Sequence, residues 1–113
     1  MNIEEMLKYI PSTEEKMGPR SEYVIFVSND GKSYALRREA AELSVLWWQV
    51  INSPCSRNLY NTYYVENLDS EMLKLAVIFL FHESRYLEDD FEFYEPPKGK
   101  ERMLEEIRNY LKA

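Results

Sequence analysis

YVIFVSNDGKSYALRREAAELS, residues 23–44, changes its hydrophobic period twice, and those changes set the architecture. Tyr23 to Val27 is a β-branched and aromatic run, which predicts a strand. Asp30-Gly31 marks a hairpin turn, because a tight reversal needs positive φ values that glycine adopts freely and aspartate tolerates. A second strand follows, in which Tyr34 and Leu36 share a face. From Arg38 the pattern becomes helical: Ala40, Ala41 and Leu43 form a short first segment. Ser44 is placed to cap a second, which carries Val45, Leu46, Trp47, Trp48, Val50 and Ile51.

Downstream, Asn52-Ser53-Pro54 ends that helix, and SPCSRNLYNT reads as a loop. Tyr63 to Val65 is short, aromatic and β-branched, hence a third strand. Asp69 or Ser70 then caps a helix running from about Ser70 to Arg85. Its main stripe is Leu73, Ala76, Val77 and Leu80, and a second stripe, Phe79, His82 and Tyr86, runs alongside. After the acidic stretch FHESRYLEDDFEFYEPP (81–97), the segment KERMLEEIRNYLKA predicts a last helix with Met103, Leu104, Ile107, Tyr110 and Leu111 on one side. Upstream, Ile3, Met6, Leu7 and Ile10 fit a short amphipathic helix stopped by Pro11, and STEEKMGPRS reads as a linker. Residues 1–20 are therefore expected as an N-terminal extension and 21–113 as the domain. The element order predicts an α+β fold, a small three-stranded sheet flanked by helices.

Composition narrows the function. The chain has 113 residues, 45% hydrophobic and 30% charged, with three glycines, the profile of one folded domain. A net charge of -6 argues against nucleic acid and anionic membranes as partners. Five of those six net charges fall between His82 and Glu95, where six acids face Arg85 alone. A single cysteine, Cys55, and the lack of any Asn-x-Ser/Thr acceptor fit a reducing compartment, nucleus or cytoplasm. Neither a signal peptide nor an apolar run approaching the roughly 18 residues of a membrane span is present.

The chemistry on offer is sparse. Gly31-Lys32-Ser33 ends like a phosphate-binding loop, but that motif requires a glycine where Phe26 stands. Cys55 and His82 sit in no catalytic signature. His82, Glu83, Asp89 and Asp90 lack the spacing of zinc or calcium ligand sets, so neither metal nor cofactor is expected. An acid/base enzyme using Glu88, Asp89 or Asp90 is the remaining catalytic alternative. Trp47 and Trp48 are adjacent and about 100° apart on a helix, so one packs in the core while the other is left for another protein.

Residues 23–44 resemble the opening of elongin C, a small adaptor family of the Skp/BTB-POZ superfamily, through Tyr23, Val24, Ser28, Asp30, Gly31, Arg38, Glu39, Ala41 and Ser44. Pro54, Thr62 and Val65 continue the register, and Leu73, Arg85-Tyr86 and Asn109-Tyr110-Leu111 extend it to about residues 22–113. The F-box adaptor branch of the superfamily carries further C-terminal helices that are not found here, which favours elongin C. The resemblance implies a Skp-type BTB/POZ-like fold and a noncatalytic adaptor of a cullin-RING ubiquitin ligase. Its implied partners are an elongin B-like ubiquitin-fold protein, a cullin and the BC-box helix of a substrate receptor. A transcription elongation complex is the alternative setting.

By position, the implied BC-box groove comprises Phe79, His82, Tyr86, Phe91, Tyr94, Leu104, Ile107 and Tyr110. Trp47, Trp48, Arg57 and Leu59 are candidate contacts for a cullin or another protein. The chain departs from the family at Phe91 to Pro96, where either Phe93 or Tyr94 turns inward. It departs again in the charged last helix, at Glu101, Arg102, Glu105 and Glu106, and in the loop carrying Arg57 and Leu59.

Overall fold

Strand β1 (Tyr23–Ser28) lies between β2 (Ser33–Arg37) and β3 (Thr62–Val65) in a three-stranded sheet. The computed structural model describes residues 2–53, 59–88 (side chains to 85), 99 and 101–112. β1 and β2 form the expected hairpin, antiparallel, with Val24 opposite Leu36 and Phe26 opposite Tyr34. Gly31 supplies the positive φ of the turn, +86°. The Ser28 hydroxyl donates to the Asp30 carboxylate and accepts the Lys32 amide at 3.0 Å. That donation is the main reason the Asp30 carboxyl is held below its ordinary range. The Asn29 amide donates to the Leu68 carbonyl at 2.9 Å, so the turn leans on the chain that follows β3.

β3 pairs with β1 in parallel, Ile25 opposite Thr62 and Val27 opposite Tyr64. Parallel neighbours need a crossover. Here α3 (Arg38–Ala41), α4 (Val45–Ile51) and the loop after it provide one. Helix α5 (Ser70–Glu88) starts where the Asp69 carboxylate accepts the Met72 amide at 2.8 Å, which decides the capping residue. Leu73, Ala76, Val77 and Leu80 are buried as the main stripe requires, but so are Leu75 and Phe81. The sheet, α3 and α6 (Glu101–Leu111) all pack against α5, so its apolar coverage is wider than one stripe. α6 buries Leu104, Ile107 and Leu111, with Met103 and Tyr110 partly buried beside them.

Two contacts lock the helices onto the sheet. The ring of Phe26 stacks on Trp47 with centroids 4.0 Å apart and planes 21° apart, both side chains buried. The Ser44 hydroxyl accepts the Trp47 amide at 3.2 Å and donates to the Leu111 carbonyl at 2.7 Å. One hydroxyl thus caps the start of α4 and satisfies a terminal carbonyl of α6. Among the described residues, the buried Trp47 Nε1 has no hydrogen-bond partner.

The N-terminal segment departs from the linker reading. α1 (Ile3–Lys8) is followed by a one-turn helix, α2 (Thr13–Lys16), built on a capping box. Its Glu15 amide donates to the Ser12 hydroxyl, and the Ser12 amide to the Glu15 carboxylate. Ile10, expected on the apolar face, lies beyond α1 and is 86% exposed. The proline that follows pushes it out of helical geometry. Met6, by contrast, is buried in the main core.

The Tyr9 hydroxyl donates to the Glu15 carboxylate at 2.6–2.7 Å, and its ring lies 4.9 Å from that of Tyr23. The hydrogen bond to Glu15 is the main cause that pushes the Tyr9 phenol up to about 12, and it holds the Glu15 carboxyl below its ordinary value. Asn61, in the left-handed region at φ 50°, fastens the end of this segment. Its side-chain amide donates to the carbonyls of Lys16 and Gly18 at 2.7 and 2.8 Å, while its Oδ1 accepts from Arg38 at 2.8 Å. Arg38 also donates to the Ser21 carbonyl and hydroxyl.

Two outcomes follow from these contacts. Trp47→Ala costs about 3–5 kcal/mol in urea unfolding, whereas Trp47→Phe costs clearly less, because it keeps the stack on Phe26 and removes an unpaired N–H. The Tyr9–Glu15 bond is retained below the ordinary phenol value near 10 and is lost as pH rises from there towards about 12. Its Glu15 side is lost at the other end, as pH falls below the ordinary carboxyl value of 4.5 and through the lowered one. NMR titration of the Tyr9 ring should show the raised midpoint, and Glu15→Gln should return it towards 10.

Candidate protein-binding surfaces

Helix α5 presents aromatic side chains beyond those its core contacts consume. Phe79 and His82, three residues apart and therefore on one flank, are each partly buried. The guanidinium of Arg108 on α6 lies 5.2 Å from the centroid of Phe79. Such a cation over a ring contributes about 0.5–1 kcal/mol at a hydrated site and fixes the ring's tilt. The His82 ring stands edge-on to Phe81, 5.7 Å away at 77°. The result is an aromatic ledge along the α5–α6 side, suited to apolar anchors of a partner and rimmed by a base.

The residues expected to form one groove are distributed over three environments. Phe79 and His82 belong to the ledge. Leu104 and Ile107 are 6% and 0% exposed and sit in the core, so they floor this side rather than face solvent. Tyr110 lines a hollow of about 300 Å³ with Phe26, Leu46, Trp47, Val50 and Tyr64. Arg108 and Tyr110 are about 200° apart around α6, so the base reaches Phe79 while the phenol turns towards α4 and β3. Phe91, Phe93, Tyr94 and the Tyr86 side chain lie outside the described residues, as do Cys55, Asp89 and Asp90.

Further apolar side chains are exposed on α4 and around β3. Trp48 is half exposed, and Val45 and Val50 on α4, with Leu59, Tyr60 and Tyr64 near β3, are exposed as well. Of the contacts anticipated from sequence, Trp47 is in the core, Trp48 and Leu59 are each exposed, and Arg57 lies outside the described residues. Val45, Tyr60 and Tyr64 were not anticipated. The alternation at Tyr63 (buried) and Tyr64 (exposed) was the available signal, since successive strand residues face opposite sides. β3 is also an edge of the sheet, with β1 as its neighbour in the strand order β2-β1-β3.

Among the described residues no three His, Cys, Asp or Glu side chains gather as a metal site, and no helix is long and apolar enough to cross a membrane. No protein-family model matches the sequence, and no curated protein matches it. Among solved structures, a chain of the crystal structure of the Rad7 and Elc1 complex in yeast is similar, at 26% identity with a TM-score of 0.56. The match covers 79% of this chain and 96% of that one. The chain has an elongin C-like α+β fold.

Proposed function

We propose that this protein is a noncatalytic adaptor of the elongin C type in a cullin-RING ubiquitin ligase. The observation that carries the reading is the similarity over nearly the whole of a chain from a two-protein complex, Rad7 with Elc1. Exposed Trp48, Tyr60 and Tyr64 support it, since large rings left at the surface of a small chain are available to a partner. In this reading the ledge of Phe79 and His82 holds the BC-box helix of a substrate receptor, by the helix-in-groove mode in which spaced apolar anchors supply affinity. Trp48 on α4 and Leu59 before β3 meet a cullin or another scaffold protein. An elongin B-like ubiquitin-fold protein completes the assembly. The net negative charge carried by residues 83–95 speeds encounter with basic partners.

Affinity purification of the protein from its native cell, with partners identified by mass spectrometry, tests the reading directly. A cullin and a ubiquitin-like protein are the expected companions; a polymerase complex in their place would assign the transcription elongation role. Two substitutions then separate the surfaces. Phe79→Ala should weaken a BC-box helix peptide by about thirtyfold or more, as a central anchor does, and leave scaffold binding intact. Trp48→Ala should do the reverse. Because Trp48 is half exposed, its replacement should leave the cooperative melt almost unchanged. Equal effects of both substitutions on both partners would refute the division.

A further inference from the structure

The β1–β2 turn carries a reactive pair that partner binding does not use. Asp30 is followed by Gly31, so the next amide nitrogen has no side chain of its own to hinder its approach to the carboxyl group. Both residues are exposed, and water reaches them. In a free chain such a pair cyclises. The Gly31 nitrogen attacks Asp30 Cγ, a C–N bond forms, and the carboxyl hydroxyl leaves as water with the amide proton. Water then adds to the succinimide at the former Asp30 main-chain carbonyl carbon. Breaking its bond to the Gly31 nitrogen there leaves an isoaspartyl link. Nothing is oxidised or reduced, and the water lost is regained.

The folded turn withholds each requirement of that reaction. The nucleophile is engaged, because the Gly31 amide donates to the Ser28 carbonyl at 3.0 Å. The electrophile is held by the residue two before it: the Asp30 carboxylate accepts the Ser28 hydroxyl, whose oxygen in turn accepts the Lys32 amide at 3.0 Å. Loss of a hydroxyl needs the protonated acid, and the Asp30 carboxyl is held below its ordinary value, first by Ser28 and next by Ser70 at the start of α5. The turn is also fixed from outside. The Ser28 amide donates to the Lys32 carbonyl at 2.8 Å, and the main-chain and side-chain amides of Asn29 donate to the carbonyls of Leu68 and Glu66 at 2.9 and 3.3 Å.

We propose that Asp30–Gly31 is a latent isomerisation site, and that isoaspartate forms there in molecules whose turn has come away from the Ser28 side chain and from the chain after β3. Exposure supplies the water and the sequence supplies the pair, so what holds the reaction back is the closed conformation alone. Its rate is then set by the fraction of molecules in which this turn is locally open. The product opposes reclosure. It lengthens the main chain by one carbon between the Asp30 Cα and the Gly31 nitrogen and moves the carboxylate onto that Cα, so the Ser28 hydroxyl and carbonyl no longer meet their partners together. Asp69 offers a comparison within the same chain: Ser70 follows it, and its carboxylate is engaged by the Met72 amide at 2.8 Å. The proposal does not depend on the adaptor reading.

The experiment incubates the full chain at physiological temperature and mildly acidic pH. Isoaspartate is then measured in the tryptic peptide 21–32 by electron-transfer fragmentation, since isomerisation leaves the mass unchanged. A free synthetic peptide 21–32 and the urea-unfolded chain should isomerise at matching rates, and folded wild type about tenfold or more slowly. Ser28→Ala should raise the folded rate by about tenfold and keep a cooperative melt, because losing a hydrogen bond to a charged group shifts local opening by that order. In low urea, wild-type isomerisation should rise in step with hydrogen exchange at the Gly31 and Lys32 amides, below the concentrations that unfold the sheet. Folded wild type reacting as fast as the peptide overturns the proposal, as does a Ser28→Ala rate equal to that of wild type. So does isomerisation that appears only on global unfolding, a readout that decides the matter even if Ser28→Ala does not fold. A free peptide that forms no isoaspartate removes the site altogether.

Discussion

The stack of Phe26 on Trp47 is the contact from which most of the arrangement follows. β1 is paired along both edges, so Phe26 cannot shift without breaking two ladders. Its ring therefore sets the rotation of α4 about the helix axis. With Trp47 turned inward, Trp48 stands about 100° away and is forced to the surface. The same rotation brings the Ser44 hydroxyl to the last carbonyl of α6, so the closing helix takes its position from α4. The exposed α4 surface is in this sense a by-product of core packing, available for recognition because the geometry leaves it no interior place.

The sheet and the two long helices were legible in the sequence because their signals are local. Asp30-Gly31 between alternating runs specifies a hairpin, and Leu73, Ala76, Val77 and Leu80 specify the buried side of α5. The direction of β3 was not legible, since composition shows that Tyr63 to Val65 is extended but not which strand it meets or in what sense. The burial of Leu75 and Phe81 escaped a one-stripe reading because it depends on three neighbours packed around α5. α2 went unread although Ser12 and Glu15 stand at capping-box spacing, because four residues carry no apolar period. Among the site residues, Tyr110 was grouped with Phe79 on the strength of family position alone. The angular offset from Arg108 turns it towards α4 and β3.

α5 presents an aromatic ring beside an arginine on each of two flanks. One flank offers Phe79 and His82 with Arg108 beside them, and the other offers Phe81 with Arg85 above it. Each flank pairs an aromatic ring with an arginine lying over it. The difference is that the second flank is covered by the chain's own N-terminal segment, through Met6. The Arg38–Asn61–Gly18 network fixes where that segment is tethered, using a buried asparagine whose backbone conformation few side chains tolerate.

The parallel pairing of β1 with β3 also dictates an order of assembly. Ile25 and its partner Thr62 are thirty-seven positions apart. At synthesis rates of about 5–20 residues per second, the outer edge of β1 waits roughly 2–7 s for its neighbour to emerge. During that interval the hairpin shows an open strand edge to everything around it. Non-local pairing of this kind is slow and exposed to aggregation even after the chain is complete. That edge of β1 stays open on the nascent chain until Thr62 to Val65 close it.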